Sequence, residues 1–392
     1  MKESRRAASP SASALVTMAA LVLGAASLGS AAATRIASVA RRVVTPAVRT
    51  ADLRILRIDR AAQTITLERN EDTVLPGRYG LFTNGAGYLK LGAVLAFDEE
   101  SVTRKLLSHV DAATRVGEYA SFSGWYFDSP EQLHLPVSRP LIPLPVGDAP
   151  AWLFDAGRGD DWVIGVHGRG GTRAEILRAV PTLHQAGLTT LVMSYRDDGE
   201  APPSPAGLYG LGSTEWQDVD AAIEFARERG ARRVILMGWS MGGAIALQSA
   251  LRSAHRDLIA GLILDSPVID WQIVLDDQAA QLRIPRAIVR TAMAMLASRA
   301  VSRAAGLGQG IPFDELDMVA RAEELAVPIL LLHSDDDGFV PSDASHALAA
   351  ARPDLVTMET FTVARHTKLW NYDEHRWTGA IRDWLEAQGL GR

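Results

Sequence analysis

The sequence predicts an α/β fold built on a mostly parallel β-sheet that is flanked by helices. Six apolar segments of strand length occur after residue 160, and helical patterns separate them. Continuous apolar strands are typical of a parallel sheet covered on both faces, because neither side of such a strand meets water. The predicted strands are Trp162–Val166, Thr189–Tyr195, Arg233–Gly238, Leu258–Asp265, Val327–His333 and Leu355–Phe361.

Composition narrows the classes of protein that fit this chain. It has 392 residues, a formal net charge of −6 and no cysteine. That length favours one large domain with additions. The lack of cysteine excludes disulfides, thiolate metal sites and a cysteine nucleophile. The acidic balance argues against nucleic acid as a partner.

The N-terminal 33 residues predict a membrane segment. No charged residue occurs from Ala7 to Thr34. The apolar run Ala14–Ala33 has about the length that spans a bilayer of ~30 Å. We therefore expect residues 1–33 to hold a single-pass N-terminal transmembrane helix that anchors the protein in a membrane. The alternative is a signal peptide cleaved after residues 31–33, followed by secretion. Basic residues flank the run on both sides, so its orientation stays open.

Two regions separate this segment from the α/β domain. Residues 34–50 predict a short amphipathic or extended linker. Residues 51–136 predict a small β-rich module, since "LRILRID" and "TITLER" alternate apolar and polar residues on either side of a short connection, as in a hairpin. The module contains no cluster of catalytic residue types and is interpreted as a spacer or packing surface. The α/β domain is expected over residues 137–392.

The motif "GWSMGG" (238–243) predicts a nucleophile at Ser240. It follows a predicted strand and opens a predicted helix, the context in which G-x-S-x-G forms a sharp turn that exposes its serine. The backbone N–H of Met241 lies at the helix start, where it can stabilise an oxyanion. A phosphate-binding glycine loop is the rival interpretation, but the spacing matches neither G-x-G-x-x-G nor a Walker sequence.

A second oxyanion donor and a general base are expected on other loops. "HGRGGT" (167–172) follows the first buried strand, in the place of the loop that donates the second N–H, from Arg169; an ordinary glycine loop is the alternative. His366 follows the last strand and precedes the last helix, so it is the predicted base for Ser240. Structural or solvent-exposed roles are expected for the other candidates, His167, His333, His346 and His375.

Taken together, these motifs resemble the α/β-hydrolase superfamily, in its lipase- and serine-aminopeptidase-like branch. The resemblance covers residues from about 137 to 390 and implies an α/β-hydrolase fold. That branch often has H-G-x-x-D-x-x-V-P at its acid, so the resemblance implies that Asp337 in "HSDDDGFVP" (333–341) is the triad acid. The chain departs from the pattern at Ser334, where the family has glycine, and in "VARH", which lacks the usual glycine.

The aspartates next to Asp337 invite a different interpretation. Asp335 and Asp336 are typical turn residues, which bond their own backbone. A calcium site is the rival, but the spacing does not fit an EF-hand loop. We therefore predict no metal and no cofactor.

The residue type at the strand-to-helix turn, which is serine at position 240, indicates the class of reaction. On this fold, dehalogenases and epoxide hydrolases need aspartate there and dienelactone hydrolases need cysteine, which leaves serine-dependent acyl transfer to water. The resemblance favours a carboxylic ester as the small-molecule acyl substrate. Alternatives are a peptidase or amidase, with Arg169, Arg173 and Arg196 holding a carboxylate, and an inactive membrane-tethered binding module.

A predicted lid indicates which type of acyl group the site would accept. Residues 272–325 are longer than a plain crossover and contain an amphipathic helical stretch. In the resembled family a lid usually lies here, although a helix that merely packs on the sheet would give the same pattern. Met293, Met295 and Leu296 over the site would favour an apolar acyl group.

Overall fold

The computed structural model describes residues 33–85, 87–157 and 160–391. It consists of a small closed β-barrel followed by a large α/β domain. The predicted membrane segment lies outside the described residues apart from Ala33, and it stays a prediction. Within the described ranges, no helix combines the length and the apolar character needed to cross a bilayer.

The β-rich module is a six-stranded antiparallel barrel. Its strands follow the order β1-β2-β5-β4-β3-β6, and β6 pairs with β1 to close it. The predicted hairpin is its first strand pair. Arg104 is fully buried in the interior and donates hydrogen bonds to four backbone carbonyls, including that of Gly77. The strands are β1 Leu53–Asp59, β2 Thr64–Glu68, β3 Tyr79–Thr83, β4 Gly87–Phe97, β5 Ser101–Leu106 and β6 Tyr119–Ser123.

The large domain is built on an eight-stranded sheet in the order β14-β13-β12-β11-β9-β10-β8-β7. The last six strands along the chain are mutually parallel, and all six predicted strands are confirmed. A hairpin of β7 and β8 adds the antiparallel edge. The strands are β7 Leu141–Leu144, β8 Gly147–Phe154, β9 Asp161–Val166, β10 Thr189–Met193, β11 Arg233–Trp239, β12 Ile259–Asp265, β13 Ile329–Ser334 and β14 Val356–Phe361.

Helices cover both faces of this sheet, as the apolar strands predict. Along β9, Ile164 packs in the core layer that contains Leu247, and its neighbour Val163 packs in the opposite layer with Trp377. The helices are α1 at residues 33–44, α2 Val180–Gln185, α3 Trp216–Glu228, α4 Met241–Arg252, α5 Trp271–Gln281, α6 Arg286–Ala297, α7 Arg299–Ala304, α8 Phe313–Leu316, α9 Asp343–Ala351, α10 Leu369–Tyr372 and α11 Glu374–Ala387. Short 3-10 helices lie at Pro130–Leu133, Arg173–Arg178, Arg256–Leu258 and Ala322–Glu324.

The segment predicted as an amphipathic or extended linker, residues 34–50, is largely an amphipathic helix. Residues 33–44 form this helix, α1. Ala40 and Val44 are completely buried in the core of the α/β domain, and Ile36, Val39 and Val43 pack against the same core. Burial of this apolar stripe, which recurs at helical spacing, holds the segment on the domain.

The predicted lid region is helical throughout much of its length. Residues 272–325 include most of α5 and all of α6, α7 and α8. Leu275 and Ala279 of α5 form a small apolar cluster with Val289 of α6, and Val43 of α1 packs against it. The N-terminal helix and this excursion therefore form one layer over the carboxyl ends of the strands.

Candidate active site

Ser240 lies on the sharp turn between β11 and α4. Its backbone has φ +52° and ψ −118°, a conformation that side chains rarely adopt. A Cβ atom on Gly238 would lie 2.4 Å from the carbonyl oxygen of Gly242, and one on Gly242 would lie 2.1 Å from that of Val166. Only glycine fits at either position, which explains the spacing of the motif and the position of Ser240 just beyond the end of β11.

His366 approaches Ser240 from the loop after β14. The His366 Nε2 atom lies 3.0 Å from the Ser240 Oγ, and the Nδ1 atom lies 2.7 Å from Asp337 Oδ2. An ionised carboxylate can only accept, so Nδ1 carries the proton and the neutral ring accepts the Ser240 hydroxyl hydrogen at Nε2. The structure thus brings the three predicted residues into one hydrogen-bonded chain.

Asp337 is buried and its two oxygens have different partners. Oδ1 accepts the backbone N–H groups of Phe339 and Val340, both at 2.9 Å. Oδ2 accepts from His366 and lies 3.3 Å from His333 Nε2. Burial by itself would raise the pKa of Asp337, but the two histidines hold it well below its usual range. The carboxylate therefore stays charged at neutral pH.

The other two aspartates of the motif have separate roles. Asp335 is exposed and accepts hydrogen bonds from Ser342 and His346, both at 2.8 Å. Asp336 pairs with Arg365 at 3.5 Å, its one ionic partner among the described residues. In the part of the chain that the structure describes, no three His, Asp or Glu residues converge as metal ligands would.

The two residues predicted to bind an oxyanion through their backbone N–H groups, Met241 and Arg169, lie on segments next to Ser240. Met241 is the first residue of α4, and Arg169 follows β9 on a loop so close that a Cβ on Gly168 would lie 3.1 Å from the Cβ of Ser240. Among the described residues, neither N–H has a backbone acceptor. The buried Glu175 carboxylate accepts the N–H of Gly168 at 2.7 Å and thereby fixes the loop.

An apolar cavity of about 600 Å³ opens beside Ser240. Its wall comes from three helices: α1, α5 and α6. Leu282 and Phe339 also border it and are exposed by 57% and 42%, so its mouth is apolar. The lining side chains from the helices include Val39, Val43, Val274, Leu275, Val289, Met293 and Leu296. Of the predicted lid residues, Met293 and Leu296 border the cavity directly.

The side chain of Arg169 ties the oxyanion loop to α1. Its Nη2 atom donates to the carbonyl oxygens of Arg42 and Thr45, both at 2.7 Å. These carbonyls belong to the last turn of α1, where a cation is favourable because the helix dipole is negative there. The residue predicted for its backbone N–H therefore also holds a wall of the cavity.

The predicted carboxylate-binding arginines are already engaged. Arg173 donates to Glu200 at 3.0 Å and Arg196 pairs with Asp218 at 2.6 Å. Together with the bonds from Arg169 to α1, these contacts give each of the three arginines a partner within the protein, and of the three only Arg169 borders the cavity described above.

The barrel contacts both sides of the His366 loop. Arg365 pairs with Glu71 at 2.8 Å and Lys368 pairs with Asp72 at 3.3 Å. These barrel acids therefore hold the residues that flank His366. Sequence reasoning assigned no such role to the module.

Arg178 and Asn371 extend this connection inside the protein. The Arg178 Nη1 atom donates to the carbonyl of Thr367 at 2.7 Å and to the Asn371 side chain at 2.8 Å. Asn371 in turn donates to the carbonyls of Arg78 and Gly124 in and after the barrel, at 2.6 and 2.8 Å. No motif marks these two residues, because their role arises from contacts between distant segments.

Comparison with protein families gives two matches. The model of the alpha/beta hydrolase family matches residues 163–379, and a domain of unknown function (DUF8805) matches residues 54–123. Comparison with curated proteins gives no match.

Comparison with solved structures finds similarity to esterases. The esterase Pf2001 of Pyrococcus furiosus is 18% identical with a TM-score of 0.52, covering 67% of this chain and 94% of that one. The esterase Est1E of Butyrivibrio proteoclasticus, solved with ferulic acid bound, is 19% identical with a TM-score of 0.47 and covers 64% of this chain and 98% of its own. The Pf2001 match supports the fold alone.

Replacing Arg169 with methionine should loosen α1. The backbone N–H remains, but two hydrogen bonds from a charged donor are lost, each worth about 1.5–3 kcal/mol. We expect faster amide hydrogen exchange in residues 36–44 than in the parent protein. Arg173→Met is the matched control, because it removes a cation from the same loop without touching α1. Equal exchange of α1 in all three proteins would contradict this role of Arg169.

Proposed function

Because the chain belongs to the alpha/beta hydrolase family, we propose that it is a serine esterase that cleaves carboxylic esters with apolar acyl groups. The 3.0 Å contact between Ser240 Oγ and His366 Nε2, beside an apolar cavity, is the observation that carries the proposal. A nucleophile, its base and a binding site for the acyl chain are then adjacent.

Acylation begins with proton transfer from Ser240 to His366. The Oγ atom attacks the ester carbonyl while Nε2 accepts the hydroxyl proton, and the ring becomes an imidazolium. Asp337 stabilises that cation, because its depressed pKa keeps it ionised. The N–H groups of Met241 and Arg169 stabilise the negative charge on the carbonyl oxygen. The imidazolium then protonates the leaving alcohol, and the acyl group stays on Ser240.

Deacylation repeats these steps with water. His366 removes a proton from a water molecule, whose oxygen attacks the acyl carbonyl. Collapse of the second tetrahedral intermediate returns the proton to Ser240 and releases the carboxylic acid. The net reaction converts one ester and one water molecule into one carboxylic acid and one alcohol.

Esters rank ahead of peptide bonds as the substrate. The peptidase alternative depends on a cationic group for the substrate carboxylate, and Arg169, Arg173 and Arg196 are each bound to other groups. The cavity wall is instead mostly apolar, with aliphatic side chains from α1, α5 and α6, and Arg42 and Gln278 are among its few polar members. This lining supports an acyl chain of several carbons.

A panel of p-nitrophenyl esters tests this function. Activity should rise from acetate to a medium chain, because each buried methylene contributes ~0.8 kcal/mol and two more carbons raise kcat/KM up to about tenfold. Ser240→Ala should abolish turnover of every ester. A flat or falling profile would contradict the apolar acyl site, and full activity in Ser240→Ala would contradict the serine mechanism.

The three aspartates can be separated by amide substitution. Asp337→Asn keeps the shape of the side chain but removes the charge that stabilises the imidazolium, and kcat should fall by about 10⁴ as in other serine triads. Asp335→Asn and Asp336→Asn should have small effects, since asparagine reproduces most turn hydrogen bonds. Turnover of p-nitrophenyl esters measures each change.

Circular dichroism and thermal melting of the three variants provide the folding control. Near-normal turnover in a folded Asp337→Asn protein, with loss of turnover in either neighbour, would show that the family spacing has assigned the wrong aspartate.

A further inference from the structure

Exposed arginines are concentrated on the helices beside the cavity, and the acidic residues Asp276, Asp277 and Asp314 flank this region in the sequence. Residues 33–48 and 278–313, which contain α1, α6 and α7, carry eight arginines and no acidic residue, in a chain of net charge −6. We name this surface the cap face. Its arginines are Arg35, Arg41, Arg42, Arg283, Arg286, Arg290, Arg299 and Arg303.

These arginines have no ionic partners within the described residues. All eight are exposed, and none contributes to a salt bridge there. Many arginines elsewhere on the surface form salt bridges. Arg227 pairs with Glu224 at 2.6 Å, and Arg352 pairs with Asp354 at 2.8 Å. Within the described residues, no ion pair therefore neutralises the arginines of the cap face.

One of the arginines occupies a position that helix stability disfavours. Arg286 is the first residue of α6, and the positive end of a helix dipole lies at the N-terminus, so a cation there is repelled. The stability of α6 therefore does not account for Arg286.

Charged and apolar groups of this surface are continuous. The Arg41 guanidinium lies 3.9 Å from the Cβ position of Gly306, so α1 and the loop after α7 adjoin. Val301 on α7 is 46% exposed, and Leu282 and Phe339 at the cavity mouth are exposed by 57% and 42%. Exposed apolar side chains among basic ones fit a membrane surface better than a nucleic acid, which offers no apolar phase at its backbone.

We propose that the cap face docks on the surface of an anionic phospholipid bilayer. The arginines would contact lipid headgroups, the exposed apolar side chains would enter the boundary with the acyl chains, and the cavity mouth would open toward the lipid. Entry of an apolar ester from that side rests on the proposed function. The docking itself does not, since it depends on charge and apolar surface alone.

The test follows the position of single labels on the full chain. The protein has no cysteine, so Val301→Cys places one fluorophore on the cap face and Leu95→Cys places one on the barrel. Each protein is mixed with phosphatidylcholine vesicles that carry nitroxide lipid, with and without phosphatidylglycerol. We expect quenching of the label at 301 when phosphatidylglycerol is present, and loss of that quenching in high salt, which screens the headgroup charge. The label at 95 should stay unquenched.

Charge variants test the cause of the contact. Each arginine near an anionic leaflet strengthens binding by about fivefold, so replacing Arg286, Arg290 and Arg299 with glutamine should weaken it by about a hundredfold. The matched control replaces three exposed arginines outside the cap face, Arg54, Arg256 and Arg382, with glutamine.

The outcomes separate this proposal from that of the esterase. Equal quenching at both label positions, quenching at 301 that does not increase with phosphatidylglycerol, no quenching at 301, or equal loss in both triple variants would overturn cap-face docking. Turnover of soluble p-nitrophenyl acetate, measured in parallel, should be unchanged by either triple variant because none of the replaced residues borders the cavity. Absence of turnover with intact docking would contradict the esterase proposal alone.

Discussion

The hydrogen bond between His366 and Asp337 is the interaction on which the rest of the site depends. It joins the ends of two neighbouring strands, β13 and β14, at 2.7 Å, and it fixes the ring nitrogen that faces Ser240. Two backbone N–H groups and His333 hold the carboxylate from behind. Arg178, through the carbonyl of Thr367, holds the loop that carries the imidazole.

This arrangement gives the barrel a structural part in the site. A histidine loop must place its ring within hydrogen-bonding distance of two partners, and loops are generally the most mobile part of a fold. Salt bridges from Glu71 and Asp72 to Arg365 and Lys368 restrain the loop on both sides. The cost of ordering it is thereby partly offset by contacts outside the α/β domain.

The sequence was most informative where a local pattern determines the geometry. Apolar runs predicted all six parallel strands, and the glycines around Ser240 predicted a turn that only glycine permits. The spacing of the family motif predicted Asp337, and the order of residues along the chain predicted His366. In the structure, His366 is hydrogen-bonded to both Ser240 and Asp337.

Contacts between distant segments were not predictable in this way. For residues 34–50 the sequence predicts an amphipathic or extended linker, and Ile36, Val39, Ala40, Val43 and Val44 have the spacing of an apolar helix face. The pattern shows that a face will be buried, but not against which surface. Arg178 and Asn371 give no local signal at all, because their partners come from the barrel and from the loop after β14.

Reaction with a fluorophosphonate tests the central claim most directly, because phosphonylation requires a serine activated by its base and an oxyanion site. The native protein should take up one label, and mass spectrometry of its peptides should locate it on Ser240. A folded protein that stays unlabelled, or that is labelled at another residue, would contradict the assignment of Ser240 as the nucleophile.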